Sequence, residues 1–315
     1  MLPFILRRVL IGIVTLLVAS FVLFAAITIL PGDEVRALFG FGAVDTEQYR
    51  LIVERLHYDR PFLVQYWLFL QDFVVGDFGL TLQGAPIGPI IRSRIAPSLW
   101  ILLGVTLIQL VLGPLLLWLS VRRPRTPLER VSSTATIILV SVPTLVAAFV
   151  LQAVMVYWTD LLPSPKWIYP PSELAGWRNY VMPILALGVG TAAHLAMVGR
   201  VELLATLSQP YITTARGLGI PRDRILKVEA MRPTAGRVVQ LVAANTAVLL
   251  TGLIVVEDVF QVPGLGSALL EAIQGQDRLL VITMLMFVLA GVLVVNTVAD
   301  ILHGWIDPRV RAEDF

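Results

Sequence analysis

Apolar residues in this chain gather in long windows instead of alternating with polar ones. Stretches without a single Asp, Glu, Lys or Arg run over 9–30, 98–121, 131–159, 181–199, 238–256 and 279–299. About 20 apolar helical residues cross the roughly 30 Å of hydrocarbon in a bilayer. One Arg or Asp at the centre of such a span costs about 2.5–3.5 kcal/mol, against about 0.3–0.6 gained per Leu, Ile, Val or Phe. Lipid offers backbone N–H and C=O groups no partner, so each window is predicted to be helical. The pattern predicts an all-α polytopic membrane protein with six transmembrane helices.

Composition strengthens this picture. The chain has 315 residues, of which 57% are hydrophobic and only 15% charged, where a soluble domain carries about a quarter charged. Its mean hydropathy is +0.81 and its formal net charge +2. With no cysteine, disulfides and thiolate metal sites are excluded. The first window is too long for a signal-peptide core of about 7–15 residues and reads as an uncleaved anchor. Arg7 and Arg8 before it read as a cytoplasmic retention signal rather than a twin-arginine export signal.

Charge between the windows sets an orientation. Arg7 and Arg8 precede the first span, and Arg122, Arg123, Arg125 and Arg130 join the second to the third. Arg200, Arg216, Arg222, Arg224, Lys227, Arg232 and Arg237 lie between the fourth and fifth, and Arg309 and Arg311 follow the sixth. The short loops on the other side, 160–180 and 257–278, carry only Lys166, Arg178 and Arg278. The positive-inside rule then predicts cytoplasmic termini. The resulting division is an N-terminal transmembrane helix (1–31), an extracytoplasmic segment (32–97), a five-helix core (98–304) with a cytoplasmic loop at 200–237, and a tail (305–315). Within the outer segment, DTEQYRLIVERL and PFLVQYWLFLQDFVV predict two amphipathic helices, the second ended by Gly76.

Catalytic motifs do not assemble. Asp77-Phe78-Gly79 spells a kinase magnesium motif without the catalytic loop or lysine strand that must accompany it. Gly264-Leu265-Gly266-Ser267 with His194 or His303 would make an intramembrane protease, but a glycine-rich turn accounts for the string as well. The three histidines are scattered and form no HExxH. No GxxxxGK[ST] occurs, so the chain cannot itself cradle ATP phosphates in that loop. No enzyme activity, cofactor, metal or nucleic-acid partner is expected. His194 places an ionisable side chain inside the fourth window, which suits either a proton-coupled carrier or a neutral imidazole hydrogen-bonded within the bundle. Glu257 and Asp258 fall at the end of the fifth window, where water is expected to reach them.

The segment YITTARGLGIPRDRI, 211–225, is basic and punctuated by Gly217, Gly219 and Pro221. Leu203, Leu207, Tyr211 and Ile212 keep helical spacing, so the fourth span is expected to continue past the membrane surface. The glycines then permit a sharp turn, Pro221 opens a new helix, and Pro233 closes it. Asp223 and Lys227 are spaced for an i,i+4 ion pair. A short helix held there, showing Arg216, Arg222 and Arg224, would serve as a docking knob for a cytoplasmic partner.

At these residues the chain resembles the EAA loop of ABC importer permeases, with TTARGLG where the family has EAA-x-x-x-G. It is similar to the peptide/nickel branch through Leu30-Pro31-Gly32-Asp33, Gln65-Tyr66-Trp67, Gly76-Asp77-Phe78-Gly79, Ser141-Val142-Pro143, VEDVFQVPGLGSALLEAI and NTVADILHGWIDPRVR. The resemblance implies a type I ABC importer permease fold with a cytoplasmic coupling helix, in a bacterial or archaeal cell membrane. It implies a second permease of a different sequence, two cytoplasmic ATPases and an extracytoplasmic binding protein or lipoprotein, with lipid around them. Thr214, Ala215, Arg216, Gly217, Gly219, Ile220, Pro221, Arg222 and Arg224 would then grip the ATPase. Departures from the branch pattern at Met197, Pro210, Ile220 and 229–236 imply an ATPase adapted to this chain.

Pathway residues follow in the same frame. Pro143 removes a backbone hydrogen bond and kinks its helix, which makes it and Ser141 candidates. Asn245, Thr246 and Thr251 set polar groups along the fifth window, for a pathway or for interhelical hydrogen bonds. His194, Glu257, Pro263, Gly264 and Gly266 complete the candidate gate. A stand-alone secondary transporter or channel is the rival reading, and the substrate class stays open between oligopeptide, dipeptide, nickel chelate and other small polar solutes.

Overall fold

The computed structural model describes residues 2–29, 35, 46–55, 57–122, 125–165, 176–231, 234, 238, 241–242 and 245–306. Helix α1 (Leu2–Ile29) is followed by the outer helices α2 (Thr46–Arg55) and α3 (Phe62–Val75). Helix α4 (Ile87–Arg122) precedes α5 (Pro127–Ser141) and α6 (Thr144–Gln152), which runs on as a π-helical turn over Ala153–Trp158. Then come α7 (Arg178–Leu207), α8 (Pro210–Gly217) and α9 (Arg222–Arg224), the last continuing as a π-helical turn over Ile225–Ala230. Helices α10 (Thr246–Val259), α11 (Leu265–Gln274) and α12 (Arg278–Ile306) complete the chain.

Among the described residues four helices, α1, α4, α7 and α12, are long and apolar enough to cross a membrane. The third window forms a broken span: α5 and the α6 segment meet at an angle of 99°. The kink expected at Pro143 is thus a full break, because Val142 and Pro143 both take extended backbone, with ψ of 118° and 140°. The fifth window is represented by the 14-residue α10; much of 238–245 lies outside the described residues, as do Pro233, the tail 307–315 and the motif at 30–33.

Local chemistry places the boundaries. Thr126 caps α5, its hydroxyl accepting from the Glu129 N–H, with Pro127 in the first turn. Gly76 ends α3 in the left-handed region at φ 86°, as expected from sequence. Asp277 caps α12 by accepting from the Leu280 N–H at 3.1 Å, and its second oxygen accepts from Leu82 N–H at 2.8 Å. The turn before α4 is thereby tied to the start of the last helix.

The tightest packing joins α4 and α7, which run parallel. Gly104 lies against Ile184, Gly188 against Ile108, Gly113 against Leu195 and the Ala192 carbonyl, and Gly199 against Leu117. A Cβ at Gly104 would overlap Ile184. Small residues let transmembrane backbones approach closely, since lipid tails leave packing as the main driving force. Helix α10 joins this pair through Gly252 against Leu187. The core here contains Ile101, Val105, Met182, Leu187, Leu249, Leu253 and Val256. A second layer pairs α1 with α12 in antiparallel fashion, from Phe24 and Ile27 against Ile282 and Met286 to Arg8 paired with Asp300 at 3.0 Å.

Candidate functional site

Most candidate residues fall in two separate arrangements, a cavity at the broken span and a turn–helix segment after α7. The cavity holds about 650 Å³ and is lined by α5 and α6 residues on either side of the break, by α7, and by Asn245 at the start of α10. Its polar lining is Thr144, Thr191, His194 and Asn245, set among Leu139, Val146, Leu185 and similar apolar side chains. Thr191 is occupied locally, donating to the Leu187 carbonyl at 2.8 Å. The break leaves the last carbonyls of α5 and the first N–H groups of α6 without intrahelical partners, and non-helical backbone at membrane depth is tolerated where it lines a cavity.

The expected pathway residues divide around this cavity. His194 and Asn245 are brought together in its wall. Ser141 and Pro143 flank the break but are exposed, and the Ser141 hydroxyl donates to the Ile137 carbonyl at 2.8 Å. Thr246 opens α10. Thr251 is exposed on that helix and does not line the cavity. Glu257, Pro263, Gly264 and Gly266 form a different cluster at the other end of α10, where it meets α11.

Glu257 departs from expectation. It is fully buried, although its place at the end of the fifth window suggested easy solvation. One oxygen accepts from the Ser98 hydroxyl at 2.5 Å, and the other accepts from the Gly266 and Ser267 N–H groups at 2.7 and 3.0 Å. The carboxylate is buried because the turn at Gln261, with φ 52°, folds α11 back over it. The glycine-rich string at 264–267 signals a turn in the sequence, but not that the turn covers Glu257.

The segment after α7 also departs in detail. The fourth span does not continue unbroken: it ends at Leu207, and Pro210 opens α8 after a short break. Helix α8 ends in a Schellman motif. Gly219 is left-handed at φ 74°, its N–H donates to the Arg216 carbonyl at 3.0 Å, and the Ile220 N–H donates to the Ala215 carbonyl at 3.2 Å. Gly217 has no positive φ, so the turn rests on Gly219 alone. Ile212, Ala215 and Ile225 form a small core with Ile220 against it, which holds the segment together. Pro221, with ψ 140°, starts the last turn. Thr214, Arg216, Gly217, Gly219, Pro221, Arg222 and Arg224 all face outward, as does Leu218.

No ion pair joins Asp223 to Lys227 among the described residues. The Lys227 ammonium instead sits over the Trp118 ring, 5.7 Å from its centroid, with the Arg122 guanidinium at 5.9 Å from the same ring. Another contact absent from the sequence reading is Arg200, which reaches Ser133 and pairs with Glu129 at 2.7 Å, fastening α7 to α5. The Arg94–Glu271 pair at 3.0 Å likewise fastens α4 to α11. A larger cavity of about 750 Å³ lies among α1, α2, α3 and the start of α12, apart from both arrangements.

Comparison with known proteins agrees with this architecture. Residues 109–312 match the family model of the binding-protein-dependent transport system inner membrane component, and residues 1–87 match the model of the N-terminal region of such membrane components. The glutathione transport system permease protein GsiC of Escherichia coli K12 is 30% identical over 313 residues, covering 99% of each chain. The proteins of that name from Shigella flexneri serotype 5b and Salmonella choleraesuis are 30% and 29% identical over the same span. The chain therefore belongs to the binding-protein-dependent transport inner membrane component family, as a multi-pass inner-membrane permease subunit of an ABC importer whose ATP hydrolysis is carried out by separate ATPase subunits.

Proposed function

We propose that the break between α5 and α6 forms this chain's share of the translocation pathway, and that residues 210–230 dock one cytoplasmic ATPase. The observation that carries the reading is the cavity at the break, where Thr144, Thr191, His194 and Asn245 set polar side chains in an otherwise apolar wall. Such a wall passes a small polar solute without binding it tightly. Both termini face the cytoplasm in this reading, and the outer helices α2, α3 and α11 face the binding protein. A second, different permease completes the pathway against α6, whose Leu145, Val146, Phe149 and Val150 are about half exposed. The relatives named for glutathione transport favour a peptide-class solute.

ATP-driven closure of the ATPases would draw the coupling segments together and rock the spans, opening the cavity to one side at a time. Uptake of glutathione and a panel of di- and tripeptides into proteoliposomes holding the complete importer tests this. ATP-dependent accumulation that falls at least tenfold in His194→Ala plus Asn245→Ala is the expected result. Accumulation against a gradient by this chain alone, with no ATPase subunit, would overturn the reading.

A further inference from the structure

Glu257 is bonded on every side and touches no solvent. Its carboxylate accepts from the N–H groups of Gly266 and Ser267, in the first turn of α11, and from the Ser98 hydroxyl of α4. Ser98 in turn accepts from the Leu265 N–H at 2.8 Å, so the first three N–H groups of α11 are all held by two side chains from other helices. The remaining one, at Gly264, donates to the Ser267 hydroxyl at 3.0 Å. A carboxylate at a helix N-terminus is favoured by the helix dipole as well as by these bonds.

The two glycines of the turn have no room for a side chain because α10 lies against both. A Cβ at Gly264 would overlap the Glu257 side chain, and one at Gly266 would come within 2.8 Å of the Ile254 Cα. One turn earlier on α4, Arg94 pairs with Glu271 and lies 3.4 Å from the Ser267 hydroxyl, fixing α11 further along its length. At its opposite end α10 starts beside Asn245, in the wall of the cavity at the broken span. Its 14 residues make a rod of roughly 20 Å, with the carboxylate bound to α11 at one end and the cavity wall at the other.

We infer that Glu257 is a positioning residue that makes α11, α10 and the outer end of α4 move as one body, so that displacement of α11 at the outer face reaches Asn245 in the cavity wall. The inference rests on the proposed pathway and on an outer-face α11. Coupling between distant sites needs a rigid element biased at both ends. The bonded carboxylate supplies the junction, and α10 supplies the rod. Ser98 shares the role, because it binds both the carboxylate and α11.

The test uses the absence of native cysteine. Cysteines placed at Ile273 on α11 and Thr251 on α10, both exposed, take spin labels in the assembled permease pair, and their separation is read by pulsed electron resonance. One narrow distance is expected in the parent and in Glu257→Gln, which keeps an acceptor oxygen, and a distribution broadened at least twofold in Glu257→Ala. In the complete importer, stimulation of ATP hydrolysis by glutathione-loaded binding protein should fall about tenfold in Glu257→Ala and keep more than half its value in Glu257→Gln. Where Glu257→Ala fails to assemble, Gly264→Ala displaces the carboxylate while keeping its charge and should broaden the distance in the same way. An unchanged distance distribution in the alanine variants overturns the inference, and so does full stimulation. A parent importer without ATP-driven uptake overturns the proposed function instead, while the spin-label distances still decide the role of Glu257.

Discussion

Lys227 and Trp118 meet face to face, the ammonium 5.7 Å from the centre of the indole ring, although 109 positions separate them in the chain (227 − 118). Trp118 stands in the last turn of α4, and Lys227 in the π-helical turn of the segment proposed to dock the ATPase. A cation over an indole ring contributes about 0.5–1 kcal/mol when exposed and about 2 when desolvated. The contact therefore fastens the docking segment to a transmembrane helix. Lys227→Glu sets an anion against the electron-rich ring face and should loosen the segment by about 1 kcal/mol. The measurement is solute moved per ATP in the reconstituted importer: a severalfold loss is expected with Lys227→Glu and little with Lys227→Arg. Equal ratios in all three proteins would show that the ring contact carries no motion.

The turn between α8 and α9 separates the roles of two glycines that look alike in sequence. Gly219 is left-handed at φ 74°, while Gly217 is not, and a Cβ at either would meet nothing within 4 Å. Backbone conformation is therefore the sole local constraint. Gly219→Val should cost about 1–2 kcal/mol in the folded segment and uncouple ATP hydrolysis from uptake. Gly217→Ala, at the end of a helix, should leave transport intact and stabilise by a few tenths of a kcal/mol to about 1. Thermal unfolding and coupled uptake of both variants decide the matter: similar losses in the two would place the strain elsewhere.

The sequence pattern revealed the long spans well, because charge exclusion from lipid is a strong local rule. α1, α4, α7 and α12 fall on four of the windows. It also marked the break near Pro143, since proline's effect on a helix is local, but not the 99° angle, which depends on what packs against both halves. The basic, glycine-punctuated segment announced its turn at Gly219 and the outward Arg216, Arg222 and Arg224. What escaped notice was tertiary. Glu257 reads as a solvated residue until the chain reverses at Gln261, and Lys227 reads as a partner for Asp223 until Trp118 is brought beneath it. His194 and Asn245 stood out as polar residues in apolar windows, yet only the fold assembles them in one cavity.

The Asp277 side chain ties Leu82 to the first turn of α12 and is itself buried. Burial pushes its carboxyl above the ordinary range, and the N–H groups of Leu82 and Leu280 oppose that shift. A carboxyl with a raised folded value binds more protons in the native state than in the unfolded one at intermediate pH. Stability from this group is then greatest below the ordinary value of 3.8 and falls as pH rises through the raised one. Asp277→Asn keeps an acceptor oxygen without the charge and should flatten that fall. Thermal midpoints of parent and variant across the acid range give the comparison. Parallel curves would mean that the loop at Leu82 opens and lets water reach the carboxylate.

Gln109 is the sharpest conflict between polarity and position in the fold. It lies in the α4–α7 seam, completely buried, between the Ile108–Gly188 contact and the Gly113–Leu195 contact, and neither its amide nitrogen nor its oxygen has a hydrogen-bond partner among the described residues. A buried amide left unbonded costs about 1–3 kcal/mol, whereas an apolar side chain of similar shape at the same place costs nothing of that kind. Gln109→Leu should therefore raise the thermal midpoint of the purified permease, by the equivalent of about 1 kcal/mol or more. Selection for stability alone would not retain such a residue, so the amide is expected to matter in another arrangement of the seam, where α4 and α7 slide and bring it a backbone or solute partner. Uptake measured alongside stability separates the two effects: a more stable Gln109→Leu importer that transports several times more slowly supports a working role for the amide, and one that is more stable and equally fast shows the orphaned group to be a tolerated burden.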